Sequence, residues 1–342
     1  MKRNILILFM VMMCSNSWGA SLHRPHKLST WGVHPAHYSG ITPFGGGFFA
    51  VVSDKESMDG YYVWQIQQDR QTGDIINVLN RGFLGQVPLD TNQDGISLRD
   101  AEDIVFCPQR GSFFVCGEGY QDIIEMNRDG QRTGYELNVP DDLRNIYPNY
   151  GFEALAYDSV RQTFYTTTEN ILPADGVPTS YLNHASVSLH LQSFKAVGSE
   201  DGKVTFQPDA RYEYVLDSPR STRLGRSLHH GVVAMTALGN GRIAVLEREA
   251  FVSQAYMGSW VYCKLYVVDT NVAPGATLNK QFVTQWDTHF KVLDYSWANY
   301  EGMCLGQPLP DGRQTLILVS DSQGGYGFGP AHLQDYIRVV VL

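Results

Sequence analysis

Apolar residues in this chain gather in short runs with few helical periods, and one arrangement of them recurs five times. An apolar run leads to a turn, and a second apolar run then ends at a carboxylate. The clearest copy reads Tyr300-Glu301-Gly302-Met303-Cys304-Leu305, turns at Asp311-Gly312, and continues Leu316-Ile317-Leu318-Val319-Ser320-Asp321. Two further copies start at Glu153 and Glu102 and end at Glu169 and Glu118. Two weaker ones have Ser39 and Val233 in place of the leading acid and end at Asp54 and Glu247. Each copy predicts a β-hairpin, which cannot bury both of its own faces. Repeats spaced by tens of residues therefore predict a closed array, and for hairpins that array is a β-propeller.

Further strand signals lie between the hairpins: Tyr61 to Ile66 with Ile75 to Leu79, Asp122 to Met126 with Tyr135 to Val139, Ser186 to Phe194 with Tyr212 to Leu216, and Trp260 to Val268 with Phe282 to Trp286. Four repeats thus supply four strands each, the content of a propeller blade. After Asp321 only Tyr336 to Leu342 reads as strand, so the fifth blade lacks one. The segment Lys27 to Val33 is unassigned and of suitable length to supply it. The expectation is an all-β propeller of five four-stranded blades closed by an N-terminal strand. Six blades, with a degenerate one inside residues 170–230, is the alternative.

Composition fits a propeller: 43% apolar and 12% aromatic residues for packing between blades, and 33 glycines for tight turns. The formal charge of −9 argues against nucleic acid or an anionic membrane as partner and points towards cations. Residues 1–20 read as a secretory leader, with Lys2 and Arg3 before an apolar stretch too short to span a bilayer. No later segment is long and apolar enough to cross one. Residues 21–342 are then expected to be a single exported domain, periplasmic or extracellular, and a monomer. Cys107, Cys116, Cys263 and Cys304 fall in or beside strands, which favours buried free thiols, and no CxxC pair suggests zinc or dithiol chemistry.

The stretches Asp100-Ala101-Glu102-Asp103-Ile104, Gly151-Phe152-Glu153-Ala154-Leu155-Ala156 with Thr168-Glu169-Asn170, and Tyr300-Glu301-Gly302-Met303 with Ser320-Asp321-Ser322 carry a resemblance. They resemble the repeats of the phytase-like family, secreted bacterial propellers described as esterase-like or phytase-like. The resemblance covers most of the chain as a rhythm. Ser39 and Val233 depart from its leading acid. It implies a propeller acting on a phosphate ester with calcium.

In a propeller the innermost strands line the axis. The repeat places Glu102, Glu153 and Glu301 at equivalent strand starts, and Asp54, Glu118, Glu169, Glu247 and Asp321 at equivalent strand ends. The two sets should converge at one mouth, where crowded carboxylates need cations, basic neighbours or raised pKa values. Hard oxygen donors suit Ca²⁺. A purely architectural use, as latches onto the next blade, is the alternative. A second acidic feature, Asp90-Thr91-Asn92-Gln93-Asp94-Gly95, begins like a calcium loop that Asp100 or Glu102 would complete. Its alternative is a turn held by its own side chains.

Arg223, Arg226 and His230 precede the fourth hairpin and should overhang the mouth, the arginines to grip phosphate and the histidine to move a proton. The working scheme makes Glu153 and Glu301 catalytic together with His230. It gives metal binding to Asp90, Asn92, Asp94, Asp100, Glu102, Glu169 and Asp321. A small anionic substrate or a glycan is the expected ligand. Two other readings stay open. One is a non-catalytic binding propeller of the cell envelope. The other is a lactonase-like hydrolase using Asn170 or Asn299 beside the acids. No G-x-S-x-G elbow, H-E-x-x-H or phosphate loop occurs.

Overall fold

The five repeated hairpins form the two innermost strands of five antiparallel sheets. A computed structural model describes residues 19–200, 202–292, 294–328 and 331–342. Blade 1 comprises Tyr38–Gly45, Phe48–Ser53, Asp59–Gln68 and Ile75–Gln86. Blade 2 comprises Ala101–Cys107, Ser112–Gly117, Asp122–Met126 and Arg132–Glu136. Blade 3 comprises Phe152–Asp158, Thr163–Thr168, Val187–Glu200 and Lys203–Leu216. Blade 4 comprises Ser227–Gly239, Arg242–Val252, Trp260–Asp269 and Gln281–Lys291. Blade 5 is built from Asn299–Leu305, Thr315–Asp321 and Tyr336–Val341. Each innermost strand touches those of the blades before and after it, so the ring closes.

Both faces of each sheet are apolar because each packs on a neighbouring blade. Five buried clusters result, one per interface. Ile41 and Trp64 of blade 1 meet Ile317 and Val339 of blade 5, and Tyr61 meets Phe113 between blades 1 and 2. Phe114 meets Phe164 between blades 2 and 3, Tyr214 and Met235 share the next cluster, and Leu246 and Tyr300 share the last. Burying such side chains contributes roughly 1.5–3 kcal/mol each, the main favourable term for a fold with almost no helix.

The N-terminus does close blade 5, but through Ser21–Leu22 and His26–Lys27, which pair with Val341, Val340, Ile337 and Tyr336. The expected strand from Lys27 to Val33 is instead a 3-10 turn, Leu28–Trp31. Its apolar residues Leu28 and Val33 fill the interface between blades 5 and 1, so their hydrophobicity signals packing rather than pairing. Similarly, Tyr135 to Val139 is not the outer strand of blade 2. That strand ends at Glu136, and Leu137 and Val139 are buried in the connection beyond it. No sixth blade hides in residues 170–230, because Val187–Glu200 and Lys203–Leu216 form one long hairpin.

All four cysteines of the described residues are buried and free. Cys116 lies opposite Asp103 and Cys107 opposite Ser112, so the hairpin cannot join them. Of the expected leader, residues 1–18, Cys14 among them, lie outside the described residues. Among the described residues no helix is long and apolar enough to cross a membrane.

Candidate active site

Every innermost strand carries one irregularity at the same place. Pairing with the second strand slips between Tyr38 and Gly40, Ala101 and Asp103, Phe152 and Ala154, Val232 and Ala234, and Tyr300 and Gly302. The residue left out is Ser39, Glu102, Glu153, Val233 or Glu301. A bulge turns an extra side chain out of the ladder, and here it aims the leading acid of the repeat at the axis. Glycine follows where room is short: a Cβ on Gly302 would stand 2.9 Å from the Ser39 carbonyl oxygen, and one on Gly40 would stand 2.5 Å from Asp103 Cα.

The residue just past the second strand's last bulge-flanking pair supplies a second tier: Asp54, Glu118, Glu169, Arg248 and Asp321. The tiers, apart from Ser39 and Val233, line one end of an axial chamber of about 460 Å³. Sequence reading placed Glu247 in this tier, one residue short. Val232 pairs with Glu247 and Gly231 with Arg248, so Arg248 faces the chamber. Glu247 points to the opposite face, where Lys280 Nζ (2.6 Å) and Tyr214 (2.8 Å) donate to it. The spacing held the signal. Ser39 and Asp54 stand fifteen residues apart, as do Val233 and Arg248.

Arg248 takes the place of the carboxylates that blade 4 lacks. Its guanidinium donates to Glu169 (2.6 Å), to Asn299 Oδ1 (3.0 Å) and to Glu301, bridging blades 3 and 5. Burial opposes its charge, but Glu301, Glu169 and Glu153 outweigh burial and raise its pKa. Asn299 also donates to Glu301 at 2.7 Å. Lys55 pairs with Asp54 at 3.0 Å and with Asp100.

The acids of blades 1 to 3 are neutralised only in part, Asp54 and Asp100 by Lys55 and Glu169 by Arg248. Glu102 is 6% exposed and, like Glu153, has no hydrogen bond or ion pair among the described residues. Burial and then the neighbouring charge of Glu153 push Glu102 well above the usual carboxylate range, and burial with Glu169 does the same to Glu153. Glu118 and Glu301 are both pushed up to about 7, burial being the chief cause. Latch contacts between blades are made by Asp103 and Asp158, outside the tiers, and by Glu118 within them. Asp103 accepts from Leu155 N at 2.8 Å, Glu118 from Gly151 N at 2.8 Å and Asp158 from Gly241 N at 2.7 Å, each joining one blade to the next.

Two carboxylate trios, Asp54–Asp100–Glu102 and Glu102–Glu118–Glu153, have one oxygen per residue within 4.8 Å of one another. A cation with oxygen ligands at about 2.3–2.6 Å spans such separations. Both trios contain only oxygen donors, and Glu102 belongs to both.

Several expected site residues lie elsewhere. Asp90, Asn92 and Asp94 are exposed and belong to neither trio. Asn92 Oδ1 accepts from the amides of Asp94 (2.9 Å) and Ile96 (3.0 Å), and Asp90 accepts from Tyr120 at 3.0 Å. The segment is a turn held by its own side chain, and Asp100 joins the axial trio instead of closing a loop. His230 points away from the chamber. It is 4% exposed, lies 3.1 Å from Thr179 Oγ1 and is pushed down to about 3 by burial. Its neighbour His229 lines the chamber. Arg226 does too, with its guanidinium 4.8 Å from the centre of the Tyr256 ring, whereas Arg223 stacks on Phe251 outside the lining. Asp321 and Glu169 are in the chamber wall as expected. Asn170 is not, its amide being spent on the His230 carbonyl oxygen at 2.6 Å.

Solved structures match the chain at low similarity. The α-L-arabinofuranosidase of Podospora anserina in complex with cellotriose matches at 10% identity and a TM-score of 0.43, over 95% of this chain and 96% of that one. The PQQ-bound aldose sugar dehydrogenase of Streptomyces coelicolor matches at 13% and 0.36, over 94% and 98%. A streptogramin B lyase matches at 11% and 0.35, also over 94% and 98%. No curated protein matches the chain. The profile of the phytase-like family, described as esterase-like activity of phytase, matches residues 36–323, and the chain belongs to that family.

Proposed function

We propose that this protein is an exported, calcium-dependent hydrolase of phosphate esters that works in the axial chamber. The observation that carries this reading is Glu102: a buried carboxylate with no partner, shared by two oxygen-only trios. Leaving such a group charged and unpaired is costly, and the cost vanishes when a cation is shared between the trios.

Asp54, Asp100 and Glu102 would hold one cation, and Glu102, Glu118 and Glu153 a second. Calcium, when bound, would neutralise this acidic wall and polarise an anionic ester. The remaining work falls to the chain. Arg248 and Asn299 fix Glu301 in one position, and its pKa of about 7 suits a group that takes a proton from water near neutral pH. Arg226, lining the chamber and stacked on Tyr256, has no carboxylate partner among the described residues and would meet an anionic oxygen. His229 is held neutral by burial, so it would accept a hydrogen bond on the same side.

The test is phosphate release from 4-nitrophenyl phosphate and from phytate, with calcium and after chelation. Release that needs calcium and falls about 100-fold or more in Glu301→Gln supports the reading. No release from either compound in saturating calcium would refute it.

A further inference from the structure

The chamber wall changes character between its two sides. Blades 1 to 3, with Glu301 and Asp321 of blade 5, contribute the carboxylates, while the wall above Arg248 carries Ala250, Val252, Val261 and Trp297 beside a few polar groups. The second strand of blade 4 outruns the hairpin core, and its residues Arg248, Ala250 and Val252 face the chamber in succession, two residues apart on one face. The wall thus passes from guanidinium to methyl groups as it rises from the acidic floor. Ala250 pairs with Val261 and His229, and Val252 with Ser227, so the apolar positions stand directly beside the polar ones of the innermost strand. Ala250 and Val252 pack on the cluster that includes Trp297 and Leu333 of blade 5, and both of those residues also line the chamber. Tyr326 overhangs this side, its hydroxyl 2.9 Å from that of Tyr256, on which Arg226 stacks.

A polyol bearing several phosphates would set hydroxyls and charges against this wall, whose cationic side chain above Arg248 is, among the described residues, Arg226 alone; Lys55, across the chamber, is paired with Asp54 and Asp100. From this we infer that the chamber takes esters with a single anionic head and an aryl or short alkyl group. The head sits towards the carboxylate floor and the organic group against the apolar wall of blades 4 and 5. This rests on the calcium-dependent reading for the head, and adds the identity of the rest of the substrate.

Two phosphonates and one phosphate monoester test the two parts separately. Isothermal titration calorimetry of the calcium-loaded full-length Glu301→Gln chain, in which the monoester is not turned over, would compare phenylphosphonate, methylphosphonate and inositol monophosphate. Phenylphosphonate is expected to bind at least about tenfold more tightly than either of the others, since a filled apolar site discriminates by that much or more. Val252→Asp, which puts a carboxylate on the apolar wall, should erase the preference and weaken binding of both phosphonates, since the new charge repels the anionic head. Ala250→Leu, which fills the space with an apolar group and adds no charge, should also erase the preference and covers the case in which the charged variant does not fold. Equal affinities, tighter binding of inositol monophosphate, or a preference that survives both variants would overturn the inference while leaving the head-group reading intact. No binding of any of the three overturns both.

Discussion

Arg248 Nη2 donates to Glu169 Oε1 across 2.6 Å, joining blade 4 to blade 3 inside the axial chamber. Its other terminal nitrogen reaches Asn299 and Glu301 of blade 5, so one guanidinium substitutes for the acids that blade 4 lacks and holds its two neighbours. Replacing it without a charge leaves two carboxylates facing each other. Arg248→Met should therefore lower stability by about 3–5 kcal/mol, the cost of breaking a buried pair from one side. Part of the loss should return on adding calcium. Urea denaturation midpoints with and without calcium measure both effects, and an unchanged midpoint would mean that the bridge is not formed in solution.

The raised carboxyls set a pH dependence. Glu118 and Glu301 go from an ordinary value of 4.5 to about 7 in the folded protein. The folded state then holds protons that the unfolded chain has lost, so metal-free stability is greatest below the unfolded value and falls as pH rises from about 4.5 through 7. Asp217 behaves oppositely. Burial works against its charge, but hydrogen bonds from Lys264, Lys280 and Tyr266 hold it well below the usual range. Its contribution is lost only below its ordinary value of 3.8. Thermal melts of chelated protein should peak near pH 4 to 5 and decline to pH 8, and calcium should flatten the alkaline side. A melt that rises steadily to pH 8 without calcium contradicts the crowded-acid description.

His229 and His230 are adjacent but face opposite ways. His229→Gln should reduce turnover about tenfold or more with little change in melting temperature. His230→Gln should do the reverse, because it removes a buried contact with Thr179 and touches nothing in the chamber. The pair of variants, assayed for rate and for melting, separates the roles.

The same one-residue matter explains how much could be read beforehand. Blade number, blade content and the leading acids were legible because hydrophobic runs and turns report strand pairing directly. The side on which a charge falls was not, because each bulge shifts the alternation by one. Leu246-Glu247-Arg248-Glu249 offers three consecutive charges, and only the bulge at Val233 decides that the middle one faces the axis. His229-His230 poses the same choice. Asp90 to Asp94 misled for a different reason: oxygen-rich turns and calcium loops share their residues, and the difference lies in whether Asn92 turns its oxygen to its own amides. Chain closure was assigned to Lys27–Val33 because that segment was unassigned and of suitable length, whereas Ser21–Leu22 and His26–Lys27 make the pairing and Leu28 and Val33 fill the seam between blades 5 and 1.

Calcium titration of Glu102→Gln against the unaltered chain tests the central claim most directly. Because both trios share Glu102, the account predicts that calorimetry detects calcium binding to the unaltered protein and that the single substitution weakens every site. Melting in chelator should stay the same or rise, since a strained charge has been removed. Calcium binding that persists undiminished in Glu102→Gln, or no calcium binding to the unaltered chain, would contradict it.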